Sequence, residues 1–252
     1  MPTKRTEPMV GVDIGGSGIK GAPVDLDLGE FAAERIRIPT PIPSTPEAVA
    51  DVVAQVVDGL GVAGPIGLTL PSVVQGGMVR TAANIDKTWV GVDAANLFHK
   101  TTGRSVVVLN DADAAGLAEV RFGAGANHPG VIMMVTLGTG IGSALFVDGR
   151  LVPNTELGHL HLHHHGEAEL WAADSVRERE GLSWREFASR VADYVNLLRA
   201  LFWPDLVIIG GGVSKKADKF LPLPDVDVEV LPAELQNDAG IIGAAMMAQE
   251  LA

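Results

Sequence analysis

The segment Met9-Val-Gly-Val-Asp-Ile-Gly-Gly-Ser-Gly-Ile-Lys20 decides the fold of this chain of 252 residues. Its first six residues are apolar apart from Asp13 and predict a buried strand. The glycines that follow predict a tight turn, after which Lys20 lies in a second strand. This order excludes a Walker A loop and a Rossmann fingerprint, because in both of those a helix follows the glycines directly. The segment therefore predicts a β-hairpin with an acidic residue at the mouth of its turn.

The glycine turn has two interpretations. Glycine lacks a Cβ, so its backbone can approach another group closely, and the N–H groups of such a turn bind phosphate oxygens. Asp13 would then orient Mg²⁺, directly or through a water molecule. The alternative is an ordinary hairpin turn that binds nothing. The candidate phosphate-binding residues of this segment are Asp13, Gly15, Gly16, Ser17, Gly18 and Lys20.

Composition argues against several classes of protein. The chain has 31 acidic and 19 basic residues and a formal net charge of -12, which argues against nucleic acid as a partner. Residues 1–8 lack an apolar signal core, and glycines interrupt the longest uncharged run, residues 131–147. We therefore expect neither export nor a membrane partner. Without cysteine there is no disulfide and no Cys-ligated zinc. These features predict a cytoplasmic protein.

An apolar strand that ends in glycines occurs once in each half of the chain. The second instance, residues 131–142, ends in Gly138-Thr-Gly-Ile-Gly142. Strands and helices alternate throughout, with one helix predicted over residues 167–179 and a long amphipathic helix over 183–201. This alternation predicts a mostly parallel α/β sheet covered by helices. We expect a duplicated fold of two α/β lobes that face a cleft. The smaller lobe would comprise residues 1–110, completed by a helix over about 239–252, and the larger lobe residues 111–238.

Asn110 and Asp111 follow an apolar strand, residues 105–109, and precede a predicted helix. A carboxylate at the carboxyl end of a strand lies where α/β folds bind their ligands. Asp111 is therefore the candidate general base for a hydroxyl group, which needs only hydrogen-bond reach. The structural alternative is that Asp111 caps the helix, and the local sequence alone favours this cap.

Two polar segments are candidates for binding a sugar. The loop 80–89 contains Asn84 together with Asp and Trp residues, although a capped turn is the alternative. Further along, Glu156 accepts hydrogen bonds and His159 can donate or accept them.

Histidines are concentrated in residues 159–165. Alternation along a strand would place His159, His161 and His163 on one face. The tract His161–His165 is either a metal site or a solvated loop with some pH sensitivity. We expect the loop and no structural zinc, because no cysteine or clear fourth ligand accompanies the histidines.

Three lysines stand out in this acidic chain. Lys215, Lys216 and Lys219 lie in a predicted short helix directly after the glycines at 210–212. They either form a solvated helix face or guide a long anionic phosphate chain.

Taken in order, these motifs resemble those of the ROK (repressor, open reading frame, kinase) family of sugar kinases, which has the actin/hexokinase-like (ribonuclease H-like) fold. The resemblance runs nearly from end to end. Within the family, segments 80–89, 110–119 and 210–220 are most similar to the polyphosphate glucokinases of actinobacteria. The matching motifs are Asp13-Ile-Gly-Gly-Ser-Gly-Ile-Lys20, Asn110-Asp111, Leu137-Gly-Thr-Gly-Ile-Gly142, Glu156-Leu-Gly-His159 and Gly210-Gly-Gly-Val-Ser214.

The resemblance implies an enzyme that transfers a phosphoryl group from inorganic polyphosphate, often also from ATP, to the 6-hydroxyl of glucose. It implies Mg²⁺ as cofactor, a homodimer, Asp111 as the catalytic base, and Lys20 as a charge partner of the metal-orienting Asp13. The implied sugar-binding residues are Asn84, Asn110, Glu156, His159 and Glu169, with Glu167 as the second candidate for the last position. The implied phosphate-binding residues of the second half are Gly138, Thr139, Gly140, Gly211, Gly212, Lys215 and Lys216.

Three other functions remain open at this point. An ATP-dependent kinase of the same family would act on another hexose, such as mannose or an N-acetylhexosamine. A transcriptional repressor needs a helix-turn-helix ahead of the first phosphate strand, and only eight residues precede Met9. A sugar sensor without catalysis is disfavoured because Asp111 and both glycine loops are present.

Overall fold

A computed structural model describes residues 7–83 and 85–252. The chain divides into two compact units, the first formed by the described residues up to Ala118 together with Asp238–Ala252, and the second by Glu119–Asn237. Among the described residues, no helix combines the length and the apolar character needed to cross a membrane.

The strands are β1 (Met9–Gly15), β2 (Gly18–Asp25), β3 (Glu30–Phe31), β4 (Ile36–Ile38), β5 (Ile66–Leu70), β6 (Val74–Gln75), β7 (Met78–Val79), β8 (Val106–Asn110), β9 (Val131–Leu137), β10 (Ile141–Val147), β11 (Arg150–Val152), β12 (His161–Leu162), β13 (Gly166–Glu167), β14 (Leu206–Gly210) and β15 (Glu229–Pro232). The α-helices are α1 (Pro46–Leu60), α2 (Ala94–Thr102), α3 (Asp111–Phe122), α4 (Glu169–Ala172), α5 (Asp174–Glu180), α6 (Trp184–Phe202) and α7 (Ala239–Gln249). Short 3₁₀ helices cover Lys87–Trp89, Leu157–His159, Gly212–Lys219 and Gln236–Asp238.

The main sheets of the two units repeat one arrangement. In the first unit, β1 is antiparallel to β2 and parallel to β5. In the second unit, β9 is antiparallel to β10 and parallel to β14. Each hairpin is closed by one of the predicted glycine turns. The α/β fold with an internal repeat, expected from the sequence, is therefore confirmed. The expectation of a mostly parallel sheet is wrong, because each sheet combines an antiparallel hairpin with parallel strands.

Helix α7 packs with its backbone directly against the sheet of the first unit. An added Cβ at Gly11 in β1 would overlap the carbonyl oxygen of Ile241, and one at Gly67 in β5 would overlap that of Ala244. Glycine is required at both positions because only hydrogen fits between the strand and the helix. The opposite face of the sheet packs on α1, where Gly21 lies against Val56.

We expect the substitution Gly67→Ala to lower the free energy of unfolding by about 3 kcal/mol, because the methyl group forces α7 away from β5. Urea unfolding followed by circular dichroism measures the change. An unfolding midpoint equal to that of the unsubstituted protein would show that the helix does not depend on this close approach.

The second unit differs from the sequence-based expectation at one helix. Residues 167–179 were predicted as one helix, but α4 and α5 are separated by Ala173, whose backbone is extended at φ -69 and ψ 152. The break turns the start of α5 toward the β9–β10 turn, where the Ser175 N–H donates to the Gly138 carbonyl at 3.0 Å. In contrast, the long helix predicted from Ser183 is confirmed as α6. Ser183 and Glu186 form a reciprocal capping box that stabilises its start.

Candidate active-site residues in each unit

Asp13 lies in a row of polar side chains across the first sheet. The register pairs Asp13 with Lys20 on β2 and with Thr69 on β5, so that all three point to one face. The Thr69 hydroxyl donates to Asp13 Oδ1 at 2.8 Å, and Lys20 Nζ lies 3.5 Å from Asp13 Oδ2. Thr69 was missed in the sequence, where its only signal is a polar residue inside an apolar strand. The row fixes the orientation of the Asp13 carboxylate.

The turn between β1 and β2 is held by side chains from the segment that follows it. The Thr40 hydroxyl donates to the Gly15 carbonyl at 2.5 Å, and Arg37 Nη2 donates to the Ser17 carbonyl at 2.8 Å. Because a trans peptide points its C=O and the next N–H in opposite directions, the N–H of Gly16 is directed away from Thr40. An added Cβ at Gly16 would meet no described atom within 4 Å. The turn is therefore ordered and also open on one side.

Asn110 rather than Asp111 makes the two hydrogen bonds typical of a helix cap. Asn110 Oδ1 accepts from the N–H groups of Ala112 at 2.8 Å and Asp113 at 3.1 Å, while its Nδ2 donates to the Ser72 carbonyl at 3.2 Å. The preference for Asp111 as the cap is therefore wrong. Asp111 is the first residue of α3, half-buried, and its Oδ1 accepts from the N–H of Ala112 at 2.8 Å.

The glycine turn of the second unit is held in a similar way. The Ser175 hydroxyl donates to the Thr139 carbonyl at 2.6 Å, in addition to the backbone bond to Gly138. An added Cβ at Gly140 would lie 2.6 Å from Glu169 Oε2, so glycine allows this carboxylate to approach the turn. Ser175 was not recognised in the sequence, because 36 residues separate it from its partner Thr139.

Glu156, His159, Glu167 and Glu169 come together beside this turn. His159 Nδ1 lies 2.9 Å from Glu167 Oε2 and 3.8 Å from Glu169 Oε1, and its Nε2 lies 3.6 Å from Glu156 Oε2. The ligand atoms of His159, Glu167 and Glu169 lie within 4.8 Å of one another, which is a spacing that a metal ion could use. The structure thus brings the two alternative carboxylates, Glu167 and Glu169, to the same histidine.

The predicted strand of alternating histidines is wrong. His159 ends a 3₁₀ helix, and β12 contains only His161 and Leu162. The chain then reverses through a turn in which His164 has φ 69, and β13 pairs back on β12. His165 stacks on the Trp171 ring at 3.8 Å between centroids instead of lining a shared face. Alternation applies only within one strand, and this strand is too short for it.

The carboxylates change the acid–base behaviour of the site. The hydrogen bond to Glu167 raises the pKa of His159, against the opposing effect of burial, and the charges of Glu169, Glu167 and Glu156 raise it further. Burial raises the pKa of Glu156, an effect that His159 opposes and Glu169 strengthens. The raised pKa of His159 favours the imidazolium, a hydrogen-bond donor at both nitrogens.

The raised pKa of His159 gives the site a defined pH dependence. Because the folded pKa lies above the ordinary value of 6.5, the ion pairing stabilises the fold fully below that value and is lost as the pH rises through the raised pKa. We expect Glu167→Gln to move the His159 pKa back toward 6.5. An NMR titration of the imidazole protons measures both proteins. An unchanged pKa in Glu167→Gln would exclude Glu167 as the main cause.

The third glycine segment follows β14 and carries the predicted lysines. Gly211 has φ 80, and an added Cβ there would lie 2.5 Å from the Leu137 carbonyl oxygen, so this turn packs on the end of β9. The predicted helix is a 3₁₀ helix, Gly212–Lys219. Beside it lies a pocket of about 360 Å³, partly lined by Lys215, Asp218 and Pro232.

Two of the lysines lie near an aromatic ring that an arginine also contacts. Lys216 Nζ and Lys219 Nζ lie 5.7 and 5.6 Å from the centroid of the Trp184 ring, and the Arg177 guanidinium carbon lies 4.3 Å from it. Asp174 is paired with this arginine at 2.6 Å. The lysines therefore belong to a cationic cluster on Trp184, whereas Lys215 lies at the pocket.

Asn84 lies outside the described residues, so its predicted contact with a sugar remains a prediction. The other predicted residues fall into two groups, each within one unit. The first contains Asp13, the turn at 15–18, Lys20, Asn110 and Asp111. The second contains the turn at 138–140, Glu156, His159, Glu169, the turn at 210–212 and the lysines.

Comparison with known proteins gives consistent results for sequence and structure. The profile of the ROK family matches residues 9–169. Polyphosphate glucokinase from Mycobacterium tuberculosis is 52% identical over 237 residues, which cover 94% of this chain and 89% of the relative.

Two solved structures extend the comparison. The inorganic polyphosphate/ATP-glucomannokinase from Arthrobacter is 48% identical, with a TM-score of 0.92 over 98% of this chain and 100% of that one. A ROK family glucokinase from Streptomyces griseus in complex with glucose and AMPPNP is 25% identical, with a TM-score of 0.81 over 96% of this chain and 99% of that one. The family profile, the relatives and the actin/hexokinase-like fold agree, and the chain belongs to the ROK family of sugar kinases.

Proposed function

We propose that this chain is a polyphosphate glucokinase, which transfers a phosphoryl group from inorganic polyphosphate to the 6-hydroxyl of glucose. The observation that carries the proposal is the 52% identity to a polyphosphate glucokinase over 94% of the chain. The chain has Asp111 at the start of α3 and glycine turns at the ends of β1, β9 and β14.

Asp111 acts as the general base in this proposal. It accepts the proton of the 6-hydroxyl as that oxygen attacks the terminal phosphorus of the donor, and the bond from phosphorus to the bridging oxygen breaks. The support is its place at the carboxyl end of β8 and the fact that Asn110 makes the capping bonds. The Asp111 carboxylate is therefore not needed as the principal cap of α3.

The residues around Asp13 fit a Mg²⁺ ion. Such ions in phosphoryl-transfer sites are held by one or two carboxylates, water and the phosphates themselves. Asp13 supplies one carboxylate, oriented by Thr69, and Lys20 supplies a balancing charge. Bound Mg²⁺ would neutralise charge on the donor phosphates, and we assign Asp13 as its orienting residue, either directly or through water.

Binding of the sugar and the donor uses the remaining predicted residues. Asn84, Asn110, Glu156, His159 and Glu169 bind glucose in this proposal. Glu167 lies nearer to His159 than Glu169 does, but Glu169 also approaches the Gly140 turn, and this approach favours Glu169 as the sugar-binding carboxylate. The donor phosphates bind to Gly15, Gly16, Ser17, Gly18, Gly138, Thr139, Gly140, Gly211, Gly212, Lys215 and Lys216.

Several further features rest on the family resemblance. They are ATP as a second donor, a homodimer, a cytoplasmic location, and lobes of 1–110 with 239–252 and 111–238. A second candidate function is phosphorylation of mannose as well as glucose, because the Arthrobacter relative at 48% identity is a glucomannokinase.

The test compares initial rates of glucose 6-phosphorylation in Mg²⁺ with long-chain polyphosphate and with ATP, and repeats both series with mannose. We expect faster turnover with polyphosphate. Turnover with ATP alone would support a sugar kinase but contradict polyphosphate as its donor. Comparable rates with mannose and glucose would favour the second candidate function, that of a glucomannokinase. Absence of turnover with every pair would contradict the proposed function.

The cationic cluster on Trp184 should increase the affinity for long donors. We expect replacement of Lys216 and Lys219 by glutamine to raise KM for long-chain polyphosphate by about fivefold at low salt, with less effect at high salt. The matched control replaces two exposed cations elsewhere, Lys100 and Arg150, by glutamine. Equal effects of the two double variants would show that only net charge matters.

A further inference from the structure

The surroundings of the β1–β2 turn include an arginine with no assigned role. Arg37 is the central residue of β4, a strand of three residues that pairs with β2. The register places Arg37 opposite Lys20, and Lys20 is itself opposite Asp13. Residues opposite each other on paired strands share a face of the sheet. Arg37 therefore extends the row Thr69–Asp13–Lys20 by one strand, on the face that carries the Asp13 carboxylate.

The guanidinium of Arg37 lies on the turn itself. Its Nη2 donates to the Ser17 carbonyl at 2.8 Å. An added Cβ at Gly18 would lie 2.7 Å from Nε and 2.8 Å from both Cζ and Nη2 of Arg37. The absence of a side chain at position 18 thus leaves the guanidinium room to lie against the backbone of the turn.

The charge of Arg37 differs from that of its neighbours, because no described carboxylate forms an ion pair with it. Lys20 is paired with Asp13 at 3.5 Å, and Arg35, two residues before Arg37, is paired with Asp238 at 3.0 Å. Over residues 7–83 and 85–252, no ion pair is formed by Arg37. The side chain is exposed to solvent. Arg37 thus holds a positive charge at the turn. A guanidinium has five N–H groups, and the bond to the Ser17 carbonyl uses one of them.

We propose that Arg37 binds a non-bridging oxygen of the phosphoryl donor at the β1–β2 turn and so positions polyphosphate for transfer. This proposal rests on the proposed function, because it takes the turn as a phosphate site. A chain of net charge -12 repels a polyanion, so binding requires local positive charge. A guanidinium presents paired N–H groups that match two phosphate oxygens, and Arg37 is the cation at this turn that no carboxylate offsets.

The primary experiment measures the Kd of tripolyphosphate by calorimetry at low and high salt, with the full chain. We expect Arg37→Gln to weaken binding by about tenfold or more at low salt, because a charge-assisted hydrogen bond is lost. The matched control is Arg35→Gln, which removes the same charge from the same strand region and should change the Kd by less than about twofold. Arg37→Lys retains the charge without the fork, and should restore part of the affinity.

Steady-state kinetics then separate positioning from structural support. We expect Arg37→Gln to raise KM for polyphosphate, with KM for glucose and the unfolding midpoint unchanged. The inference is overturned if Arg37→Gln and Arg35→Gln change the Kd for tripolyphosphate equally. It is also overturned if Arg37→Gln raises KM for both polyphosphate and glucose and lowers the unfolding midpoint. Because tripolyphosphate binding does not depend on turnover, an inactive wild-type protein would contradict the proposed function without deciding the role of Arg37.

Discussion

Replacement of Asp111 by asparagine is expected to lower kcat for glucose phosphorylation by about a thousandfold, while the Kd for glucose changes by less than about threefold. Asparagine keeps the size of the side chain and an oxygen that accepts from the N–H of Ala112, a bond of 2.8 Å in the native chain. It cannot accept the proton of the sugar hydroxyl. Helix α3 also keeps its two capping bonds, since Asn110 makes them.

The matched control for this variant is Asp93→Asn. Asp93 is also a carboxylate at a helix start, where its Oδ1 accepts from the N–H of Asn96 at 3.0 Å and caps α2. We expect this control to retain kcat within about twofold, with only the small stability loss of a weakened cap. If Asp111→Asn retained turnover comparable to that of Asp93→Asn, Asp111 would not be the base.

Replacement of Glu119 by glutamine is expected to lower the free energy of unfolding by about 4 kcal/mol. Glu119 is fully buried, near the end of α3. Its Oε2 accepts from the N–H groups of Ala124 at 3.0 Å and Glu234 at 3.1 Å, and its Oε1 accepts from that of Leu235 at 2.7 Å. Glutamine would direct an NH₂ group at one or two of these donors, so buried N–H groups would lose their acceptors.

Chemical denaturation followed by tryptophan fluorescence and circular dichroism measures this loss. The control is Glu250→Gln, which removes a carboxylate from an exposed position just after α7 and should change stability by less than about 0.5 kcal/mol. A loss below about 1 kcal/mol in Glu119→Gln would contradict this expectation. It would show that the three hydrogen bonds contribute little to stability, although their acceptor is buried.

The sequence was sufficient wherever the signal was local. The β1–β2 hairpin followed from apolar residues, three glycines and the returning strand, and α6 followed from the amphipathic pattern of residues 183–201. The family and its activity class followed from the order of the motifs, because a set of segments in the right order is far more specific than any one of them. Those predictions are confirmed by the 52% identity and the TM-score of 0.92.

The predictions failed where a contact between distant segments decides the structure. Thr69 reaches Asp13 across 56 positions, and Ser175 reaches Thr139 across 36. No proline or glycine lies beside Ala173 to predict the break between α4 and α5. The break accompanies the contact of Ser175 in α5 with the turn at 138–140. Asn110 rather than Asp111 caps α3, and Asn110 also donates to the Ser72 carbonyl, 38 positions away. The local sequence does not show which of the two adjacent residues is the cap.

Phosphoryl transfer from polyphosphate to glucose can be followed at the phosphorus nucleus in a mixture without nucleotide. Protein, glucose, Mg²⁺ and long-chain polyphosphate are incubated, and ³¹P NMR records the products, with Asp111→Asn as the negative control. We expect a glucose 6-phosphate resonance to grow with wild-type protein as the polyphosphate resonances decline, and to grow at about a thousandth of that rate with the variant. Release of inorganic phosphate without a sugar phosphate, or equal rates for the two proteins, would contradict this expectation.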